Sequence, residues 1–256
     1  MSRELKPLYD LSPFKKLTPA RIGLARTGSS IATHDILAFD LDHAQARDAV
    51  HLPFDSAAIA SQLDDRQIQS ISVHSAAADR TTYLQRPDLG RQLDGPSRQR
   101  LKQHRSPDKN GYDLAMVIAD GLSARAIHSN AITFVDSFKK HSAAQGWQWA
   151  PLVIASQARV ALADEIGEIL KARLSVILIG ERPGLSAADS MGIYLTYAPR
   201  IGCTDAQRNC ISNIRQAGLS PEKAARHLLV LISSAFKLGL SGVNLKIKKK
   251  QQGITM

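Results

Sequence analysis

The architecture of this chain is set by Ser175-Val-Ile-Leu-Ile179 and by the run that follows it, Gly180-Glu-Arg-Pro-Gly-Leu185. The first run is almost wholly apolar without polar alternation, which is typical of a strand covered on both faces of a parallel sheet. The glycine, the two charges and the Pro-Gly pair then predict a loop at the carboxyl end of that strand. Because ligands of open α/β sheets bind at this edge, we expect Glu181 and Arg182 to lie near a binding partner.

Strands and helices alternate on both sides of this segment. The alternation predicts an α/β fold, a Rossmann-like domain with a doubly wound parallel sheet. The polar, Pro- and Gly-containing run at residues 92–111 marks its boundary, so the domain is assigned to residues 106–256. Its other elements are strand-like runs at residues 113–119, 152–155 and 193–197, helical patterns at residues 123–145 and 162–173, and a helix that Ser220-Pro221 begins.

The residues before this boundary have a mostly helical pattern. Residues 1–17 lack periodicity and are predicted to be an arm, followed by a smaller, mainly helical N-terminal domain at residues 18–105. Thr18-Pro19 predicts a helix start, with threonine as the N-cap and proline in the first turn. The predicted elements are helices at residues 33–52, which is amphipathic, and 56–63, and a short strand or an extended linker at residues 68–73.

Composition narrows the class of protein. The chain has 256 residues, a formal net charge of +10 and only two cysteines, Cys203 and Cys210. The charge indicates an anionic ligand or an acidic partner, and it leaves open a basic nucleotide- or nucleic-acid-binding α/β module. The lysine-rich run at residues 246–250 supplies part of it and is typical of a solvated end. The low cysteine content, with no secretory leader and no apolar run of membrane length, predicts a reducing, cytoplasmic setting.

Two further segments concentrate polar side chains. Asp120-Gly-Leu-Ser123 follows a predicted strand, and it forms either an anion site at a helix start or a turn in which Ser123 caps the helix. Residues 205–215 place Cys210 among asparagine, serine and arginine. This second segment is either a solvated helix or a contact surface for a bulky planar ligand or another subunit.

Familiar catalytic motifs are missing from the sequence. It has no Gly-x-Gly-x-x-Gly fingerprint after the first α/β strand, no phosphate-binding P-loop and no Gly-x-Ser-x-Gly elbow. The eight histidines show no pairing at metal-ligand spacing. We therefore predict a ligand-contacting chain with no catalytic residue and no metal site of its own.

Several runs together closely resemble one family, the small (light) subunits of adenosylcobalamin-dependent ethanolamine ammonia-lyases. They occur in the family's order and cover nearly everything from residue 18 to residue 246. One run alone would be a weak signal, but the full series is highly specific. The runs are Thr18-Pro-Ala-Arg-Ile-Gly23, Asp42-His-Ala-x-Ala-Arg-Asp-Ala-Val-His51, Tyr83-Leu-x-Arg-Pro-Asp-Leu-Gly-Arg91, Asp120-Gly-Leu-Ser123, Arg159-Val160, Gly180-Glu-Arg-Pro-Gly-Leu185, Arg208-Asn-Cys-Ile-Ser-Asn-Ile214 and Ser241-Gly-Val-Asn-Leu-Lys246.

The resemblance implies a lyase that converts ethanolamine to acetaldehyde and ammonia by radical chemistry on adenosylcobalamin. In this family a separate large subunit binds ethanolamine and most of the corrin, and the small subunit closes the other side of the cofactor. The expected partner is therefore the large subunit, with no nucleic acid and no membrane, and the isolated chain is expected to be inactive. Enterobacterial members carry a longer N-terminal extension linked to packaging in a bacterial microcompartment, and the short arm here argues for a cytoplasmic location instead.

Carried over residue by residue, the resemblance assigns the cofactor contacts to Val160, Glu181 and Cys210. The Glu181 carboxylate or nearby backbone would hydrogen-bond cobalamin amides, and Val160 and Cys210 would pack against the cofactor. The three are expected to meet at one sheet edge. The alternatives are that Glu181 pairs with Arg182 or another arginine, that Val160 is ordinary core, and that Cys210 is a small buried apolar side chain.

Overall fold

The computed structural model of this chain describes residues 11–246 apart from residues 19 and 25. Most of the predicted arm, and the lysine run beyond Lys246, therefore lie outside the described residues. Within them, the chain begins with a short 3-10 helix (Ser12–Lys16) and a small hairpin of β1 (Arg26–Thr27) and β2 (Ser30–Ile31). Besides four further short 3-10 helices, the remaining described elements are α1 (Thr33–His51), α2 (Ser56–Asp64), β3 (Ser70–His74), α3 (Arg80–Gln85), α4 (Gly95–Gln103), β4 (Tyr112–Ala119), α5 (Ala124–Ser142), β5 (Leu152–Ser156), α6 (Leu162–Leu170), β6 (Ala172–Gly180), β7 (Met191–Tyr197), β8 (Arg208–Ile214) and α7 (Pro221–Leu238).

The helix predicted to begin at Thr18 is not formed. The threonine hydroxyl accepts a hydrogen bond from the Ala20 backbone N–H at 3.1 Å, which closes a local turn. Gly23 then takes a left-handed conformation, with φ of +61°, that a right-handed helix cannot continue through. The prediction was wrong because threonine followed by proline is as compatible with a turn as with a helix cap.

Six strands form the main sheet in the order β3-β5-β4-β6-β7-β8. The first four are parallel, and β7 and β8 are antiparallel to their neighbours. The α/β class and the mostly parallel sheet are confirmed, and the antiparallel pairing of β7 and β8 at one end is a feature that the sequence pattern did not indicate. The direction of β7 follows from its connection to β6, residues 181–190, which is too short for the crossover that a parallel pair needs.

The apolar core lies on both faces of this sheet. On one face, α2, α5 and α7 pack over side chains such as Leu114, Met116 and Ile118 of β4. On the other face, α4 and α6 pack over alternate residues of the same strand, including Ala115 and Val117. Because both faces are covered, the continuous apolar runs of the sequence do mark sheet strands.

One element boundary and one element type differ from the sequence expectations. α6 ends at Leu170 because Lys171 adopts a left-handed conformation (φ 57°), and β6 begins directly afterwards at Ala172. Residues 205–215 do not form a helix: a 3-10 turn (Asp205–Gln207) leads into β8. The helical alternative for this segment is therefore wrong, and Cys210 lies on an edge strand.

The alternating run at residues 68–73 is a strand of the main sheet. As β3 it pairs in parallel with β5, with Ser70 opposite Leu152 and His74 opposite Ser156. The predicted boundary between residues 105 and 106 thus separates β3 from the strand with which it pairs. The division into an N-terminal and a C-terminal domain stays a prediction.

Candidate functional site

The loops that follow β4 and β6 pack directly against each other at the carboxyl edge of the sheet. The Leu122 N–H donates to the Gly180 carbonyl at 2.9 Å, and Gly121 has a left-handed φ of +57°. A Cβ added to Gly180 would lie 2.1 Å from the Ser123 carbonyl oxygen, and one added to Gly121 would lie 2.3 Å from the Gly180 oxygen. Only glycine at both positions permits this contact, which forms the floor of the site.

The side chains of Asp120 and Ser123 make hydrogen bonds within the chain. The buried Asp120 carboxylate accepts from the backbone N–H groups of Gly121, Gln157 and Ala158 at 2.9–3.0 Å, and burial raises its pKa. The Ser123 hydroxyl accepts from the backbone N–H at the start of α5 and donates to a loop carbonyl. The turn-and-cap interpretation of this segment is therefore confirmed, and the aspartate braces the loop after β5.

An aromatic ring with two guanidinium groups stands behind this floor. Tyr83 is fully buried, and the guanidinium carbons of Arg159 and Arg80 lie 4.3 and 4.8 Å from its ring centre. Burial raises the pKa of the Tyr83 phenol, which donates to the Ala158 carbonyl. Arg80 also donates to the carbonyls of Val50 and Gly121, each at 2.8 Å, and so joins α1 to the loop after β4.

Glu181 follows β6 and holds two neighbouring segments. Its Oε2 accepts from the Ser190 hydroxyl and, at 3.4 Å, from the Asn213 backbone N–H. Gly192 makes room for the carboxylate, since a Cβ there would lie 2.9 Å from Oε1. Oε1 takes no part in the hydrogen bonds found among the described residues, and no ion pair joins Glu181 to an arginine there, so the pairing alternative is not supported.

Cys210 faces Tyr194 across the antiparallel pair of β7 and β8. Burial, the Cys210 thiol and the Glu181 charge together raise the pKa of the Tyr194 phenol to about 12. Although Cys210 keeps contact with solvent, partial desolvation raises the pKa of its thiol, and the Tyr194 hydroxyl works against that rise. Cys210 is exposed, so the alternative of a small buried apolar side chain is wrong.

Val160 lies in the loop between β5 and α6 and is half-buried. It packs against the apolar cluster on the α6 face of the sheet, as Tyr194 does. With Glu181 and Tyr194 it lines an open cleft of about 420 Å³, and with Tyr194 it also lines an adjoining cleft of about 850 Å³. Val160 is therefore part of the core edge and part of a concave surface at once.

The structure thus brings the three predicted residues together around a fourth that sequence reasoning missed. Val160 and Glu181 share a cleft with Tyr194, and Cys210 contacts Tyr194 from the neighbouring strand. The only sequence signal for Tyr194 was its position in the strand-like run at residues 193–197. Arg159, which also lines both clefts, was quoted solely as part of the family resemblance.

The clefts are open and are lined by a mixture of apolar side chains, such as Val160, and charged ones, such as Arg159. Arg159 has a buried Nε without a hydrogen-bond partner in the described part of the chain. Within residues 11–246, leaving aside positions 19 and 25, no cluster of three or more His, Cys, Asp or Glu side chains is placed to hold a metal ion. Over the same residues, every helix is too short or too polar to span a bilayer.

Comparisons with known proteins place this chain in a family. The family model for the ethanolamine ammonia-lyase light chain (EutC) matches residues 10–246. An ethanolamine ammonia-lyase small subunit of Pseudomonas putida (strain GB-1) is 58% identical over 232 residues, covering 91% of this chain and 85% of the relative. The small subunit of Pseudomonas aeruginosa (strain LESB58) is 55% identical over 242 residues, covering 94% and 89%. That of Pseudomonas fluorescens (strain SBW25) is 55% identical over 238 residues, covering 93% and 86%. With a match over nearly its whole described length, this chain belongs to the ethanolamine ammonia-lyase light chain family.

Proposed function

We propose that this lyase subunit works with adenosylcobalamin, and that it completes the cofactor site at an interface with the large catalytic subunit. The enzyme would convert ethanolamine to acetaldehyde and ammonia by radical chemistry. The observation that carries the proposal is the gathering of Val160, Glu181 and Cys210 around Tyr194 on one rim. The family match favours this function over a nucleic-acid-binding module.

The residues on this rim fit a corrinoid. The corrin ring presents a broad apolar face and a periphery of amides that donate and accept hydrogen bonds. Val160 and the Tyr194 ring offer apolar contact, and the Glu181 Oε1 is an acceptor for amide N–H groups. The buried Nε of Arg159 is a donor in need of an acceptor, which an amide carbonyl would supply.

When bound, adenosylcobalamin supplies a cobalt–carbon bond that breaks homolytically, and the residues of this chain bind and orient it. Glu181 is well suited to orientation, because its other oxygen is already fixed by Ser190 and by the backbone of Asn213. The raised pKa keeps the Cys210 thiol protonated and uncharged near neutral pH. Cys210 therefore offers a soft, neutral contact beside the carboxylate.

The open shape of the cleft supports a role for a second chain. A site that must protect a radical from water needs to be enclosed, and this chain provides one wall only. Membership of a small-subunit family implies a partner subunit, which we propose to be the large subunit carrying the opposite wall. In that arrangement the substrate contacts belong to the partner, which explains why this chain lacks a nucleophile.

Substitution of Glu181 tests the proposed contact. In the purified two-subunit complex, Glu181→Ala should weaken binding of cyanocobalamin, an unreactive probe, by about 10- to 100-fold, since a charged hydrogen bond contributes about 1.5–3 kcal/mol. Glu181→Gln keeps an acceptor oxygen and should lose less. The measurement is an absorbance titration, with assembly followed by size-exclusion chromatography.

Glu222→Ala is the matched control, because Glu222 is an exposed carboxylate in the first turn of α7, on another element. It should bind the probe with wild-type affinity. An intact Glu181→Ala complex with unchanged affinity would count against the assigned role.

A further inference from the structure

The N-terminal part of the chain exposes an unusual amount of apolar surface. Of the thirteen large apolar side chains that are exposed among the described residues, nine lie between residues 11 and 52. Single exposed apolar side chains are ordinary, but a concentration of them in one segment marks an interaction surface. The nine are Leu11, Phe14, Leu17, Ile31, Ile36, Leu37, Phe39, Leu41 and Leu52.

Helix α1 holds the centre of this surface, and it is poorly buried against its own chain. Over 19 residues its only buried side chains are Ala46 and Ala49. Leu37 and Leu41 are 63% and 60% exposed, and Ile36 is 45% exposed. A solvent-facing helix draws most of its stability from packing of an apolar face, so this helix is short of a partner.

The exposed leucines form a stripe along the helix. Leu37, Leu41, Ala44 and Asp48 follow one another at spacings of four, three and four residues, which places them on one face. Asp40 lies beside them, and both aspartates are exposed. The stripe therefore combines an apolar centre with negative charge.

The charge of α1 argues for an occupant different from this chain. The helix has four aspartates and a single arginine, although the chain as a whole carries a formal net charge of +10. Symmetric pairing of two α1 stripes would bring together two faces that each expose Asp40 and Asp48, with Arg47 alone among the lysines and arginines of the helix to offset them, which is unfavourable. An apolar groove bordered by basic side chains is complementary to the stripe.

We infer that the α1 stripe, centred on Leu37 and Leu41, is a docking surface for the large subunit, separate from the cofactor rim. The inference rests on the proposed function, because the large subunit is the partner it names. The α1 surface is continuous with the cleft, which supports the inference. The end of α1 lies at the sheet edge, where His51, Leu52 and Asp120 line one pocket. Asp120 also begins the loop that forms the floor of the cleft. A partner that closes the cleft is thus within reach of this helix.

The test uses the purified complex and a double variant, Leu37→Ser with Leu41→Ser. Loss of two buried leucines should weaken association of the subunits about 100-fold or more, measured by analytical ultracentrifugation of dilution series. Val230→Ser with Leu238→Ser is the matched control, since both are exposed apolar residues of α7 outside the stripe. It should leave the Kd of the subunits unchanged.

Further measurements separate the alternatives. At subunit concentrations high enough to restore assembly, the double variant should bind cyanocobalamin with wild-type affinity, and the unfolding midpoint of the full chain should fall no further than in the control double variant. An unchanged subunit Kd overturns the inference. A fall in the unfolding midpoint well beyond that of the control double variant also overturns it, because the stripe is then covered within the chain, whereas the lower helix propensity of serine acts on both variants. So does a wild-type chain that dimerises alone and becomes monomeric on substitution, because the occupant is then a second copy. A wild-type chain that never binds the large subunit would overturn the proposed function as well.

Discussion

Replacement of Arg208 by methionine tests whether one buried ion pair holds the two halves of the site together. Asp164 lies on α6, just after Val160, and Arg208 begins β8, which carries Cys210. The Arg208 Nη1 lies 2.7 and 2.6 Å from the two carboxylate oxygens of Asp164, and the side chains are only 3% and 2% exposed. The same guanidinium donates to the Cys203 carbonyl at 2.7 Å. The pair therefore connects the segment of Val160 to the strand of Cys210.

The expected loss of stability is large. Arg208→Met leaves the Asp164 carboxylate buried without its cation, and breaking a buried pair in this way costs about 3–5 kcal/mol. The free energy of unfolding of a folded protein is only ~5–15 kcal/mol, so this loss is a substantial share of it. The double variant Arg208→Met with Asp164→Leu removes both charges, and it should recover most of the loss.

The loss of stability also depends on pH, and the titration of Asp164 decides in which direction. Burial raises the pKa of this carboxyl in the folded state, and Arg208 works against the rise. Without Arg208 the pKa rises further, so the folded variant holds a proton at pH values where the unfolded chain releases it. The destabilisation is therefore greatest above the folded pKa, and it shrinks as the pH falls through that pKa toward the ordinary value for aspartate.

Urea unfolding of the full chain, followed by the fluorescence of Trp147 and Trp149, measures these differences at neutral and at mildly acidic pH. Both tryptophans pack against the core, so their emission reports on the loss of tertiary structure. A loss below about 1 kcal/mol for Arg208→Met would refute the reasoning. A double variant no more stable than the single one would refute it equally.

The remaining predictions concern the floor and the rim of the cleft. Gly180→Ala should destabilise the chain by about 1–3 kcal/mol, because its Cβ would lie 2.1 Å from a carbonyl oxygen of the facing loop. Urea unfolding checks this, with Gly184→Ala as the control, since a Cβ there meets nothing within 4 Å. Tyr194→Phe removes the hydroxyl that lowers the pKa of Cys210, so iodoacetamide should alkylate this thiol more slowly at mildly alkaline pH. With Cys203→Ser in the background to isolate one thiol, an unchanged alkylation rate would contradict that link.

The sheet was predictable because its strands are buried on both faces. A continuous apolar run such as residues 175–179, set between helical patterns, is typical of a strand in a covered parallel sheet. The antiparallel end was missed because an apolar strand has the same composition in either direction. Only the length of the 181–190 connection carried the direction, and ten residues look like an ordinary loop.

The site was only partly predictable. Glu181 stood out as a charge after a strand, and the family resemblance supplied Val160 and Cys210. Tyr194 left no such mark, because an aromatic residue in a strand is most often core. Its importance comes from pairing with Cys210 across β7 and β8, which depends on the register of strands that the sequence does not reveal.

For helix α1, the sequence pattern predicted the secondary structure but not the exposure of its apolar residues. Its apolar spacing correctly predicted a helix at residues 33–52, and α1 runs from Thr33 to His51. The same spacing marked the helix as amphipathic, yet its apolar residues Leu37 and Leu41 are exposed. Hydrophobic periodicity identifies an apolar helix face that is more stable when buried. It does not show whether the residues that bury it belong to the same chain.

Arg80 gives this arrangement a mechanical consequence. Its planar guanidinium donates hydrogen bonds to the carbonyl of Val50, in the last turn of α1, and to the carbonyl of Gly121, beneath the cleft. A rigid group holds its two attachment points at a fixed separation, so it behaves as a strut between them. A large subunit that binds α1 would therefore also fix the position of the loop beneath the cleft. Binding of the partner and positioning of the cleft residues would then be coupled.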